Sequence, residues 1–176
     1  MKRISAVIVW TCLVCSLAAC AREQPPVASP RQASQAKVQS NLDSLSVSLD
    51  ALGLVSAGAE SKSIARLREQ FRDLPCAVPD ELALLLARVD EAHAPRIDGW
   101  NFLGSEAALS AHDSLRTHHD WRPNWIPFAR SASGWLVVES SRGTSPAGPV
   151  LEVDADHHAQ VKFLNLTRLA QDWAAP

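Results

Sequence analysis

The sequence predicts an α+β domain, and three observations carry that reading. Apolar residues recur at spacings of three and four through the first half; beyond Trp125 they fall into short runs divided by turn residues; a last helical period closes the chain. Helices, then consecutive strands, then a helix imply N-terminal helices, an antiparallel meander of about four to six strands and a C-terminal helix. The 176 residues, 47% of them hydrophobic, suit one domain able to bury a core without disulfide or metal staples. A formal charge of −2 excludes the strongly basic balance of a dedicated nucleic-acid binder, so no nucleic-acid partner is expected.

The first residues do not belong to that domain. Met1-Lys2-Arg3 is a basic start, an apolar run follows from Ile4 to Val14, and Leu17-Ala18-Ala19-Cys20 comes after Cys15 and Ser16. A basic region, a short apolar stretch and small residues before a cut site make a secretory signal. A Cys directly after Leu-Ala-Ala matches the bacterial lipobox, with cleavage between Ala19 and Cys20 and lipidation, including an acyl chain such as palmitate, at Cys20. The run from Ile4 to Ala19 is 16 residues, short for a helix crossing about 30 Å of hydrocarbon. Ala21 replaces the Asp that marks inner-membrane retention, so an outer-membrane, periplasm-facing location in the cell envelope is expected. Cys12 and Cys15 form a C-x-x-C that leaves with residues 1–19, and Cys76 remains as a lone thiol of the small packed kind. Cleavage leaves 157 residues carrying 15 basic and 19 acidic side chains, a net charge of −4.

Each element follows from its residues. Residues 20–40 begin with the lipidated Cys and continue in Pro, Gln, Ala and Ser, with Val27 and Val38 the only Val among them, which reads as a flexible tether. Such a segment spans roughly 25 Å root-mean-square. The domain proper then occupies 41–176. Leu42, Leu45, Leu49 and Leu52 mark a first amphipathic helix over 41–53, stopped by Gly53. The repeat is too short for a coiled coil, so this helix, an added element, is expected on the domain's own core. Ile64, Leu67 and Phe71 mark a second helix that ends at Leu74-Pro75. Pro79 suits the start of a third, with Asp80 and Glu81 at its positive end and Leu82, Leu85, Leu86 and Val89 on its buried face. Arg96 to Trp100 reads as one extended stretch, and Ser105 as the cap of a helix reaching Leu115.

Strands are expected at 125–129, 135–138, 150–153 and 160–163, separated by turn-rich 131–134, 140–149 and 154–158. Pro127 cannot donate to a ladder, so its strand is an edge or carries a bulge. Leu166, Leu169, Ala170 and Trp173 form the closing helix, with Asn165 as its cap.

These residues in this order resemble the Smi1/Knr4 (SUKH) family. The matching pieces are Leu74-Pro75, Pro79-Asp80-Glu81-Leu82-Ala83-Leu84-Leu85-Leu86, Gly99-Trp100-Asn101-Phe102-Leu103 and Trp125-Ile126-Pro127-Phe128-Ala129. Gly134-Trp135-Leu136-Val137-Val138, Gly148-Pro149-Val150-Leu151-Glu152-Val153 and the helix ending in Trp173 complete them, over residues 60–176. The chain departs from the family between the third helix and Trp100, where Val89-Asp90-Glu91-Ala92-His93-Ala94-Pro95 stands in place of an Asn-Gly. The resemblance implies a non-enzymatic, protein-binding α+β domain. Many bacterial members look like immunity proteins that neutralise toxins, and fungal relatives are linked to cell-wall synthesis signalling.

No enzyme is expected from the residues themselves. His118-His119-Asp120 and Asp154-Ala155-Asp156-His157-His158 place metal-type ligands close together, and a metal-dependent hydrolase is the weakest of three readings. Adjacent histidines on a strand point to opposite faces, and neither cluster has the i, i+4 pairing of H-E-x-x-H. No Gly-x-Ser-x-Gly elbow and no phosphate loop occur in the sequence. Neither a metal nor any other cofactor is therefore expected. Trp100, Trp121, Arg96, Asp98 and Arg122 form the candidate protein-binding surface, because Trp and Arg dominate binding hot spots; Trp135 and Trp173 are expected in the core. The leading expectation is a lipid-anchored protein that blocks an envelope-acting toxin or effector by steric occlusion. The alternative is an envelope scaffold or regulator of cell-wall synthesis with no toxin partner.

Overall fold

Every strand pairs with its neighbour in sequence. The computed structural model describes residues 30–54, 60–74, 76–89, 95–140 and 147–175. Within them β1 (Arg96–Ile97), β2 (Trp100–Phe102), β3 (Trp125–Arg130), β4 (Gly134–Glu139), β5 (Val150–Asp154) and β6 (Ala159–Phe163) form one antiparallel sheet in the order 1-2-3-4-5-6. The helices are α1 (Pro30–Ala51), α2 (Glu60–Gln70), α3 (Asp80–Arg88), α4 (Ser105–Leu115) and α5 (Leu166–Ala174). The fold is α+β, with a six-stranded meander and a closing helix. The leader, Cys20 and residues 21–29 lie outside the described residues, as do Pro75, 90–94 and 141–146.

Alternation along the strands divides the apolar side chains between two faces. On one, Ile126 and Phe128 of β3, Leu136 and Val138 of β4 and Val150 of β5 meet α1, α2, α3 and α5. On the other, Trp125, Val137, Leu151 and Val153 are covered by Leu115 and Trp121, from the end of α4 and the segment after it. Strand β3 is therefore buried along both faces. Pro127 sits beside a register shift between Pro127 and Ala129, and β2 reaches only Ala129 and Arg130. The strand thus carries the expected bulge and also lacks a partner on its β2 side at the proline. Gly134 is obligatory, since a Cβ there would lie 2.1 Å from the Val153 carbonyl oxygen of β5.

The helices differ from expectation at their ends. Helix α1 begins at Pro30, within the stretch read as a tether. Proline suits a first turn, and Arg31, Gln32, Gln35, Ala36 and Lys37 are strong helix formers even where nothing packs on them. The tether inferred from polar composition is thus helical over its second half. Leu45 and Leu49 are each 1% exposed, worth about 1.5–3 kcal/mol apiece in burial, so α1 does pack on the domain's own core. It lies mainly against α5 and α3. Ser105 is the first residue of α4 and does not cap it; the cap position is Gly104, with no side-chain hydrogen bond. Asn165 does cap α5, its Oδ1 accepting the Arg168 N–H at 2.8 Å.

The single extended stretch expected before α4 is a hairpin. Asp98 (φ 50°) and Gly99 (φ 83°) both adopt the left-handed region, turning β1 back on β2. Among the described residues, no helix is long and apolar enough to cross a membrane.

Candidate functional site

The residues expected on one binding surface are divided by the sheet. Trp100, on β2, is 7% exposed in the core on the helix side. Trp121 is 4% exposed in the cluster on the opposite face. Arg96 and Asp98 are exposed on the β1–β2 hairpin, whereas Arg122 follows Trp121 on the far side. The five do not form a continuous patch, and neither indole is available to a partner. The reason is cover: the segment after α4 folds back over β3 and β5 and buries its own tryptophan.

Beneath that cover the aromatic rings interlock. Trp121 meets Trp125 edge to face, with centroids 5.5 Å apart at 87°. The Arg122 guanidinium lies 5.2 Å from the Trp125 ring centre and 3.4 Å from Glu139 Oε1, so it is engaged within the domain. Indole Nε1 of Trp121 and of Trp125 and Nδ1 of His112 are buried without a hydrogen-bond partner among the described residues. His112 holds the segment in place through Nε2, 3.2 Å from the Pro123 carbonyl oxygen.

Trp135 does the opposite of what its sequence context implies. It is only partly buried at the margin of this cluster, and Arg130 stacks over it with Cζ 5.1 Å from the ring centre. Trp173 is also half-buried, packing edge-on against Phe102 and Phe163. Between Arg130, Trp135 and α4 runs a groove of about 470 Å³, floored on the helix side by Ala107, Ser110, Ala111 and Ser114. Those small residues recur at spacings of three and four, which places them on one face of α4. That spacing of small residues is the sequence signal for the groove.

The histidine clusters are drawn together. The His118 and His157 rings lie 4.7 Å apart at 58°, and His157 also meets Trp121 edge-on at 6.3 Å. Their sequence neighbours turn elsewhere. His119 Nε2 is 2.9 Å from Asp120 Oδ2, and His158 Nδ1 is 3.4 Å from Asp154 Oδ2. Asp154 Oδ1 accepts the backbone N–H groups of Asp156 and His158, each at 2.9 Å. The His158 N–H above all, with that of Asp156 and the nearby imidazole, holds the Asp154 carboxyl below its usual range.

Cys76 lies far from both features in role. It is 8% exposed, with Sγ 3.8 Å from the Pro123 carbonyl oxygen. Burial raises its thiol pKa, against a smaller lowering from Ser140, which describes a packed thiol and not a poised nucleophile.

No family model matches the chain, and no curated protein or solved structure matches it. The resemblance to the Smi1/Knr4 family therefore rests on the residues quoted for it.

Proposed function

We propose that the chain is a lipid-anchored, non-enzymatic protein-binding domain of the bacterial cell envelope. It acts as an immunity-type protein, blocking an envelope-acting toxin or effector by occupying its surface. The observation that carries this reading is the groove between α4 and the Arg130–Trp135 pair. An indole beneath a guanidinium orients the cation and offers a flat apolar contact beside it, and Trp and Arg are both enriched at hot spots.

No carboxylate pairs with Arg130 among the described residues, so the groove fits a partner presenting an Asp or Glu side chain. The small side chains of α4 let the partner's backbone come close. Among the described residues Arg130 is the one ionisable group in the groove lining, which suits binding better than acid–base chemistry. Through Cys20 the domain faces the periplasm, where peptidoglycan hydrolases, lipases and pore formers act.

The test uses detergent-solubilised full-length protein as bait in envelope extract. A partner captured by the wild type should be retained at least about tenfold less by Trp135→Ala and by Arg130→Glu, a difference near 1.4 kcal/mol. Capture by Arg96→Ala should be unchanged. Stoichiometric wild-type protein should also block the captured partner's hydrolytic or pore-forming activity. Retention by both groove variants refutes the site, and an uninhibited partner refutes the immunity role.

A further inference from the structure

Each of the two His-His pairs sends one ring to the same place. His118 leaves the segment that follows α4, His157 leaves the turn between β5 and β6, and their centroids meet at 4.7 Å. The other member of each pair faces a carboxylate, Asp120 for His119 and Asp154 for His158. His118 and His157 have no acidic partner among the described residues; they have each other and the edge of Trp121. Neither pair lies on a strand, and the fold brings one ring from each to a common point.

The geometry suits a shared metal ion. Zn–N bonds of about 2.0–2.1 Å with a tetrahedral angle between them place two imidazole centroids about 5 Å apart. The observed separation is close to that, and a tilt of 58° differs from the parallel offset of two stacked rings. Both rings are held in position. His157 has φ 63°, a backbone state fixed by the β5–β6 turn, and Trp121, itself buried, braces its ring. Imidazole donors select zinc, nickel or copper over magnesium or calcium.

We infer that His118 and His157 together bind one divalent transition-metal ion of the zinc class, clipping the segment after α4 to the β5–β6 turn. Water completes the coordination. Asp154, Asp156 and His158 also bring donor atoms within 4.8 Å of one another, but Asp154 is already taken up by two backbone N–H groups and by His158. The ion is accordingly assigned to the pair of rings and not to the acidic turn. It uses none of the groove's lining residues and does not depend on the binding role proposed there.

The test is calorimetric titration of metal-free, detergent-solubilised full-length protein with zinc chloride at pH 7.5, repeated with nickel chloride. One ion per chain is expected, with affinity at least about tenfold weaker in His118→Ala. His157→Asn should behave the same way, and asparagine keeps the left-handed backbone that alanine would strain. His119→Ala and His158→Ala should bind as the wild type does. Circular dichroism matching the wild type excludes loss of fold as the cause. Absence of binding overturns the inference, as does binding that survives His118→Ala and His157→Asn, or that disappears in His158→Ala.

Discussion

Arg88 ties the end of α3 to the C-terminal part of α1. Its side chain is 4% exposed. Nη1 donates to the Ser46 carbonyl oxygen at 3.1 Å, to Asp50 Oδ1 at 2.7 Å and to the Leu54 carbonyl oxygen at 3.2 Å. Nη2 donates to Ser46 Oγ at 2.6 Å. A cation from the last turn of α3 thereby reaches acceptors in the last turns of α1 and just beyond it, near the helix end where the dipole favours positive charge. Hydrogen bonds to a charged donor are worth about 1.5–3 kcal/mol each, but bonds that share one guanidinium are not additive. Asp50 is half exposed, so its share is screened and small.

Arg88→Ala is expected to cost about 3 kcal/mol, the loss of roughly two effective charged hydrogen bonds plus the packed stem. For a domain of this size that lowers the melting temperature by about 6–12 °C. Asp50→Ala should cost less than about 0.5 kcal/mol. Arg88→Lys should fall between, because an ammonium cannot span the same acceptors. Urea unfolding followed by tryptophan fluorescence measures all three. An Arg88→Ala cost below about 0.5 kcal/mol, or an Asp50→Ala cost equal to it, would refute the backbone-capping account.

Two further outcomes follow from the cysteines. Native Cys76 should resist iodoacetamide at pH 7.5 and react once the chain is unfolded in urea, as mass spectrometry can show. Because its folded pKa is raised, the folded state holds the thiol proton more tightly; that contribution is complete below the ordinary thiol range and is lost as pH rises through the raised value. The fall in stability above about pH 8.5 should therefore shrink in Cys76→Ala, and an unchanged slope would assign it to other groups. Cys20→Ala should abolish metabolic labelling with palmitate and release the protein from the membrane fraction. Continued labelling would rule out Cys20 as the acceptor.

The sequence by itself determined most of what depends on local periodicity. Leu82, Leu85 and Leu86 specify which face of α3 is buried, Asn165 specifies where α5 begins, and Gly134 to Val138 specify a strand. Short turn-rich connections then leave consecutive strands little choice but to pair in order. The early start of α1 and the β1–β2 hairpin also had local signals. Asp98-Gly99 is a hairpin dipeptide, and Arg31 to Lys37 carries helix formers within a composition that resembles a linker.

Other features were settled only by the tertiary structure, because they depend on what lies above a residue and not beside it. Trp121 stands among polar residues, His119-Asp120 before it and Arg122-Pro123 after it, whereas Trp135 opens the apolar run Leu136-Val137-Val138. Trp121 is buried because its own segment folds across β3 and β5, while Trp135 lies at the rim of that cover and is left partly open beside Arg130. The meeting of His118 with His157 has the same cause. Which of the four rings meet depends on how two distant turns are packed, information that no local window contains.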